Sequence, residues 1–422
     1  MTSEVLGTGR LADVQHRSVR VLSSGQVLGG VAVAASIPAG SLIAASVAGS
    51  EAAAGVAQTA GVLGAALLAL PLARIALSRG RRLALSTGYG IGALGALIVV
   101  AGAATKVLLL VYLGCLLVGV ASAASLQARY AATDLATEEH RARALSWVVW
   151  AGTVGAVLGP NLLNASGQLG LALGLPLLAG PYVVSAVALA LAVLVLMLLL
   201  RPDPYLTAIE HREASGDSGP RPRLRDGIGH LRRRPRAVLG ITAVAIGHVV
   251  MVMVMVMTPI HMAHVDVTLQ LIGLVISVHV AGMYALSPVV GWCVDRYGRI
   301  PIVVVGIVIL VVACVMAGLA PGDDIVRLGL GLFLLGLGWS CTLIAGSTML
   351  TDEVEPAERP SVQGLSDLTM NAAGAVGGAL AGVVVLVSSY GVLCAVALVP
   401  VAALAVAVSI PACRSHSNTR SI

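Results

Sequence analysis

Apolar runs long enough to cross a bilayer recur along almost the whole chain, and nothing else in the sequence restricts its fold as strongly. A hydrocarbon core about 30 Å thick takes about 20 helical residues to span. Runs of that kind predict helices at 21–48, 52–76, 83–104, 107–131, 143–167 and 176–200, then at 237–260, 269–293, 300–320, 326–349, 361–386 and 388–411. Lipid offers the backbone no hydrogen bonds, so a spanning segment must satisfy its own groups, which a helix does. Of the 422 residues, 58% are hydrophobic and 11% charged, where a soluble chain carries about a quarter charged residues. Gly and Ala are frequent inside the runs and favour close helix–helix approach. The expectation is an all-α membrane protein with 12 transmembrane helices.

Arginine placement gives the topology. The formal net charge is +6, and the only lysine is Lys106. The connections after helices two, four, six and eight carry Arg74, Arg79, Arg81, Arg82, Arg141, Arg143, the run Arg232-Arg233-Arg234, Arg296 and Arg299. The opposite connections carry only Lys106 and Arg327. This alternation matches the positive-inside rule and argues against a nucleic-acid footprint. It places both termini in the cytoplasm, which requires an even helix number. The first residues are polar, with Arg10, Arg17 and Arg20, and the apolar stretch after them is long enough to span. It reads as a first helix and not as a removed leader. The chain divides into a bundle at 1–200, a cytoplasmic linker at 201–236, a second bundle at 237–411 and a cytoplasmic tail at 412–422. The linker, rich in Arg, acids and Pro, reads as a solvated tether near anionic headgroups. The six cysteines show no CxxC spacing and read as packing residues. No Walker loop, paired catalytic carboxylates or metalloprotease motif supports an enzyme, and no cofactor is expected.

An internal repeat links the two bundles. Arg79-Gly80-Arg81 returns as Tyr297-Gly298-Arg299 at an offset of 218, Thr133-Asp134 returns as Thr351-Asp352, and Arg141 returns as Arg359. Gly155-Ala-Val-Leu-Gly159 of helix five returns as Gly374-Ala-Val-Gly-Gly378 of helix eleven at 219. An even helix number per repeat makes the repeats parallel, related by an axis along the membrane normal. The expected architecture is two pseudo-symmetric six-helix bundles.

The sharpest local signal lies between helices eight and nine: Gly291-Trp292-Cys293-Val294-Asp295-Arg296-Tyr297-Gly298-Arg299. Gly291 permits tight packing, Gly298 permits a turn with positive φ, and Asp295 can face the positive N-terminus of a helix. The segment resembles the loop signature of the major facilitator superfamily, a family of transporters. The resemblance implies a conformational latch made by Gly291, Asp295, Arg296, Gly298 and Arg299, with Gly80 and Arg81 in the first-half copy. That copy departs from the pattern, with Ala73 for the Gly and Leu77 for the Asp. The latch is then expected to rest on Asp295 meeting the start of helix five near 142–147. In helix five, Gly155, Gly159 and Pro160 resemble the Gly-x-x-x-Gly-Pro signature of the superfamily's antiporters and drug exporters. This implies close approach of helices five and eight. The Gly pair usual after the Pro is absent. So are the Arg early in helix four, where Cys115 stands, and the acid in helix one, where Gln26 is the large polar residue.

Polar side chains inside a membrane helix are costly and are the default functional candidates. Gln26, Gln58, Asn161, Asn164, His248, His279, Tyr284, Asp367 and Asn371 are the candidates for the substrate or proton pathway. Asn371 follows Asp367 by one helical turn on the same face. The segment from Met251 through Met253, Met255, Met257 and His261 to His264 admits three readings: lipid-facing packing, an apolar ligand pocket or soft-metal contact. No metal site is assigned. The functional expectation is secondary transport of a small molecule by alternating access, coupled to protons, with export of apolar or amphipathic compounds. Movement of a polar nutrient or metal ion is the alternative, and a transport-inactive membrane sensor or assembly partner is the reading from another class. The partners expected are a small-molecule substrate, protons and the lipid bilayer, with no nucleic acid. The chain is expected to act as a monomer in a bacterial inner membrane.

Overall fold

In the computed structural model the described residues are 2–49, 52–214, 231, 234–263 and 265–410. They form helices throughout, joined by short connections: α1 Thr2–Ala48, α2 Ala52–Thr105, α3 Leu108–Ala131, α4 Arg141–Asn161, α5 Leu163–Ala172, α6 Gly180–Leu199 and α7 Pro204–Ala214. The order continues with α8 Pro235–Ala263, α9 Leu269–Tyr284, α10 Ser287–Tyr297, α11 Arg299–Gly318, α12 Ile325–Glu353, α13 Arg359–Val387 and α14 Tyr390–Ser409.

Helix two of the sequence and helix three are continuous in α2, whose 54 residues would reach about 80 Å at 1.5 Å per residue. That is too long for one crossing. Gly80, at φ 86° and ψ 172°, turns the backbone out of the helix and divides α2 into two spans. Gly298 does the same between α10 and α11 at φ 96° and ψ 165°. Helix five is interrupted at Leu162, two residues beyond Pro160, giving α4 and α5. Helix eight is also interrupted, at 285–286, giving α9 and α10. The cause is Pro288, which has no N–H for residue 284 and crowds that carbonyl. Among the described residues ten helical segments are long and apolar enough to cross a membrane; with α2 divided at Gly80 and α4 counted with α5 as one span, they correspond to the twelve expected helices.

Close packing divides the described chain into two compact units. The first holds 1–137, 147–226 and 356–368; the second holds 138–146, 227–355 and 369–422. The start of α4 thus packs with the second unit, and the start of α13 with the first. In the first unit α2 and α3 lie against each other, and α6 packs on α1 and α2. One apolar core gathers Leu22, Leu72, Tyr89, Leu189 and Leu196. A second gathers Ile43, Val99, Val111 and Tyr182. In the second unit α12 is central, buried along most of its length and flanked by α8, α9 and α11.

The linker is not simply a solvated tether where it is described. Residues 204–214 form α7, and Asp203 and Tyr205 are 8% and 4% exposed. A carboxylate with several backbone N–H partners and a tyrosine with a carbonyl partner can be buried at low cost. The rest of the expected linker, apart from 231 and 234–236, and the expected tail at 412–422 lie outside the described residues.

Candidate functional site

Three groups of polar side chains stand out, each inside one unit. The first surrounds the Gly80 turn. Arg81 donates through Nε to Asp134 Oδ2 at 2.8 Å, with both side chains 1% exposed, and through Nη2 to Gln363 of α13. Nearby, Arg129 Nη2 donates to Asp367 Oδ1 at 2.7 Å, again fully buried, and the Tyr130 hydroxyl donates to Ser366. Nε and Nη1 of Arg129 find no hydrogen-bond partner. The Arg129 guanidinium also lies 4.7 Å from the centre of the Tyr130 ring.

The second group is the repeat-related loop of the other unit. Arg299 Nε donates to Asp352 Oδ2 at 2.7 Å, and Arg141 pairs with the other oxygen of the same carboxylate. Arg81–Asp134 and Arg299–Asp352 are both separated by 53 residues, so the repeat carries an ion pair with it. The Asp295 carboxylate accepts from the backbone N–H of Ala142 at 3.1 Å and of Arg143 at 2.9 Å, at the start of α4. Gly291 allows this approach, because a Cβ there would stand 2.3 Å from Ser146 Oγ. Arg296 is exposed.

The third group lies among α8, α9, α12 and α13. The Trp339 indole N–H donates to His248 Nδ1 at 3.1 Å. An indole nitrogen is a donor only, so Nδ1 is the acceptor and the neutral ring carries its proton on Nε2. Tyr284 meets Trp339 edge to face, with ring centres 5.7 Å apart and planes at 83°. Gly374 makes room for the imidazole: a Cβ there would lie 2.8 Å from both Cδ2 and Nε2 of His248. His248 and Tyr284 are half-buried, and Trp339 is buried.

The remaining candidates are scattered. His279 is fully buried, and its Nδ1 lies 2.7 Å from the Leu332 carbonyl of α12, while Nε2 has no partner. Gln26 is half-buried with Oε1 unpartnered, and Gln58 and Asn164 are exposed. Asn371 is half-buried on α13. The side chains of Asn161 and Pro160, with the surroundings of Gly159, lie outside what is described. Gly155 packs on Gly30 of α1, where a Cβ would come within 2.6 Å of the Gly30 backbone, and helix eight approaches the start of α4 at Gly291 and Ser146. Met251, Met253, Met257 and Met262 are buried, and His261 stacks on Tyr390 with ring centres 4.4 Å apart. His264 lies outside the described residues. Among the described residues no three His, Cys, Asp or Glu side chains converge as metal ligands.

Arg129 and Trp339 are the residues that sequence reasoning missed. Arg129 lies in the last turn of a basic-ended helix, where the orientation rule already accounts for an arginine. Trp339 has no signal beyond being an aromatic in an apolar run.

Comparison with known proteins places these features in a family. The chain is 39% identical over 374 residues to the uncharacterized MFS-type transporter YdeG of Bacillus subtilis, covering 89% of this chain and 87% of that one. It is 30% identical over 363 residues to the riboflavin transporter RfnT of Brucella anthropi, covering 85% and 86%. The fold matches the E. coli fucose:proton symporter FucP, with a TM-score of 0.70 at 15% identity over 92% and 97% of the two chains. It matches the proton:xylose symporter XylE, with a TM-score of 0.71 at 16% identity over 94% and 95%. The family model described as Major Facilitator Superfamily matches residues 22–268 and 241–418, and the chain, a multi-pass membrane transporter of small molecules, belongs to that superfamily.

Proposed function

We propose that this transporter carries a planar, amphipathic aromatic compound by alternating access, with proton movement in the opposite direction. The observation that carries the substrate class is the cluster of His248, Trp339 and Tyr284. Two aromatic faces and an imidazole suit a flat heterocycle, which can stack on a ring and hydrogen-bond at its edge. The relative of Brucella anthropi, named for riboflavin transport, supports the same class.

Proton coupling falls to Asp367 with Arg129. Separating a buried ion pair strands both charges, whereas protonating the carboxylate removes one of them first. Export is the first reading, supported by the likeness of Gly155, Gly159 and Pro160 to the antiporter signature. Uptake of a flavin-like nutrient is the second, supported by the riboflavin-transporting relative. The loops around Gly80 and Gly298 would then latch and release in each cycle on the cytoplasmic side, in a bacterial inner membrane.

The test is flux of riboflavin and of ethidium into proteoliposomes under an imposed pH gradient of either sign. The expected result is saturable flux of one probe that follows the gradient. His248→Ala or Trp339→Ala should lower it about tenfold, the scale of one lost buried contact. Asp367→Asn should uncouple flux from the gradient while leaving probe exchange. No saturable flux of either probe, or equal flux in the His248 and Trp339 variants, would overturn the substrate class.

A further inference from the structure

The first-half loop has lost its latch acid, yet the same place in the fold is not left empty. At the offset of 218, Leu77 stands where Asp295 stands in the second half. The backbone donors of Ala142 and Arg143 correspond to Pro360 and Ser361 at the start of α13. Proline has no N–H, so the first copy lacks both the acceptor and one of its donors.

A different acid occupies the turn. Asp203, just before α7, accepts through Oδ2 from the Arg82 backbone N–H at 2.7 Å and through Oδ1 from the N–H groups of Tyr205 and Leu206 at 3.0 and 3.2 Å. Its carboxylate lies so close over Gly80 that a Cβ there would meet Oδ2 at 2.5 Å and Cγ at 2.6 Å. Two residues on, the Tyr205 hydroxyl donates to the Ala357 carbonyl at 2.9 Å, directly ahead of α13. The Arg81 guanidinium lies 5.9 Å from the centre of the Tyr205 ring. One short segment of the linker therefore holds the Gly80 turn at one residue and the approach to α13 at the other.

We infer that Asp203 and Tyr205 are positioning residues for transport, forming a strap that ties the Gly80 turn to the start of α13 in place of the missing latch acid. The inference rests on the alternating-access reading, and it needs no particular substrate. The strap must release whenever α13 leaves the turn, so the linker sets how often that happens.

The test uses the full chain with Ser361→Cys as a reporter, since Ser361 is fully buried at the start of α13. Maleimide labelling of residue 361 is followed by peptide mass spectrometry, which separates it from the native cysteines. Tyr205→Phe removes one hydrogen bond and keeps the ring, and should speed labelling about fivefold with an unchanged melting temperature. Asp203→Ala should act in the same direction, and Asp203→Glu should restore slow labelling. Leu77→Asp with Pro360→Ala, added to Tyr205→Phe, should restore slow labelling by rebuilding the latch found in the second half. Unchanged labelling in both Tyr205→Phe and Asp203→Ala overturns the inference. Faster labelling seen only with a fall in melting temperature also overturns it, because that marks general loosening. Labelling needs no transported probe, so failure of the riboflavin and ethidium assays leaves this result readable.

Discussion

Arg129 lies 3% exposed with Asp367 as its carboxylate partner, and two of its nitrogens have no acceptor at all. The Asp367 charge thus carries much of the cost of keeping a guanidinium away from water. Removing one member of a buried pair typically costs roughly 3–5 kcal/mol, more than the pair contributes over neutral residues. Asp367→Asn should therefore lower the melting temperature of the purified transporter sharply. The double variant Arg129→Gln with Asp367→Asn should recover part of the loss. A single variant as stable as the parent would show that the pair does not hold α3 to α13. At Gly374 the expectation is different. Gly374→Ala puts a methyl group 2.8 Å from the His248 ring, and a side chain can move where a backbone cannot. The imidazole should swing off Trp339, raising KM for a planar substrate several-fold while leaving the melting temperature and Vmax close to those of the parent.

Between helices, the small residues decide the spacing. A Cβ at Gly64 would sit 1.8 Å from the Leu116 carbonyl oxygen, and one at Gly119 would sit 1.9 Å from that of Gly61. Here α2 meets α3 backbone to backbone, so neither neighbour can yield by a rotamer change. Gly64→Ala should push the helices apart and cost at least the roughly 1–3 kcal/mol of an overpacked core. It should appear as lost monodisperse protein on size-exclusion chromatography, whereas Gly55→Ala, with nothing near its Cβ, should behave as the parent. The spans were legible in the sequence because run length and bilayer thickness fix them almost alone. Their interruptions were less so: Pro288 lay inside an apolar run that read as one helix, and α7 lay inside an Arg-rich stretch that read as tether. The candidate site was legible where burial cost singles out a residue, as with Asp367 and His248. It was hidden where a partner comes from far along the chain. Arg129 is 238 residues from Asp367, and Trp339 is 91 from His248; no local pattern joins either pair.

For the molecule as a whole, the charge asymmetry of the loops predicts that both chain ends face the cytoplasm. A fluorescent protein fused after Ile422 should be bright and an alkaline phosphatase fused there silent; the reverse would invert the topology. The repeat yields a sharper test. Gly30 against Gly155 and His248 against Gly374 are the same contact in the two halves, at offsets of 218 and 219. In the first half two glycines meet and the helices touch through their backbones. In the second half an imidazole fills the equivalent position and is held by an indole N–H. Glycine thus fills in the first half the position that histidine fills in the second. His248→Gly adds the roughly 1–3 kcal/mol of leaving the Trp339 N–H without its acceptor to the roughly 1 kcal/mol penalty of glycine in a helix, and should still fold, with substrate flux lowered about tenfold as in His248→Ala. Gly30→His should do the opposite. A Cβ at Gly30 already stands 3.2 Å from the Gly155 Cα, so an imidazole there would force α1 from α4 and abolish folded protein. Retained flux in His248→Gly would mean that the two halves are equivalent at this contact and that the solute is recognised elsewhere.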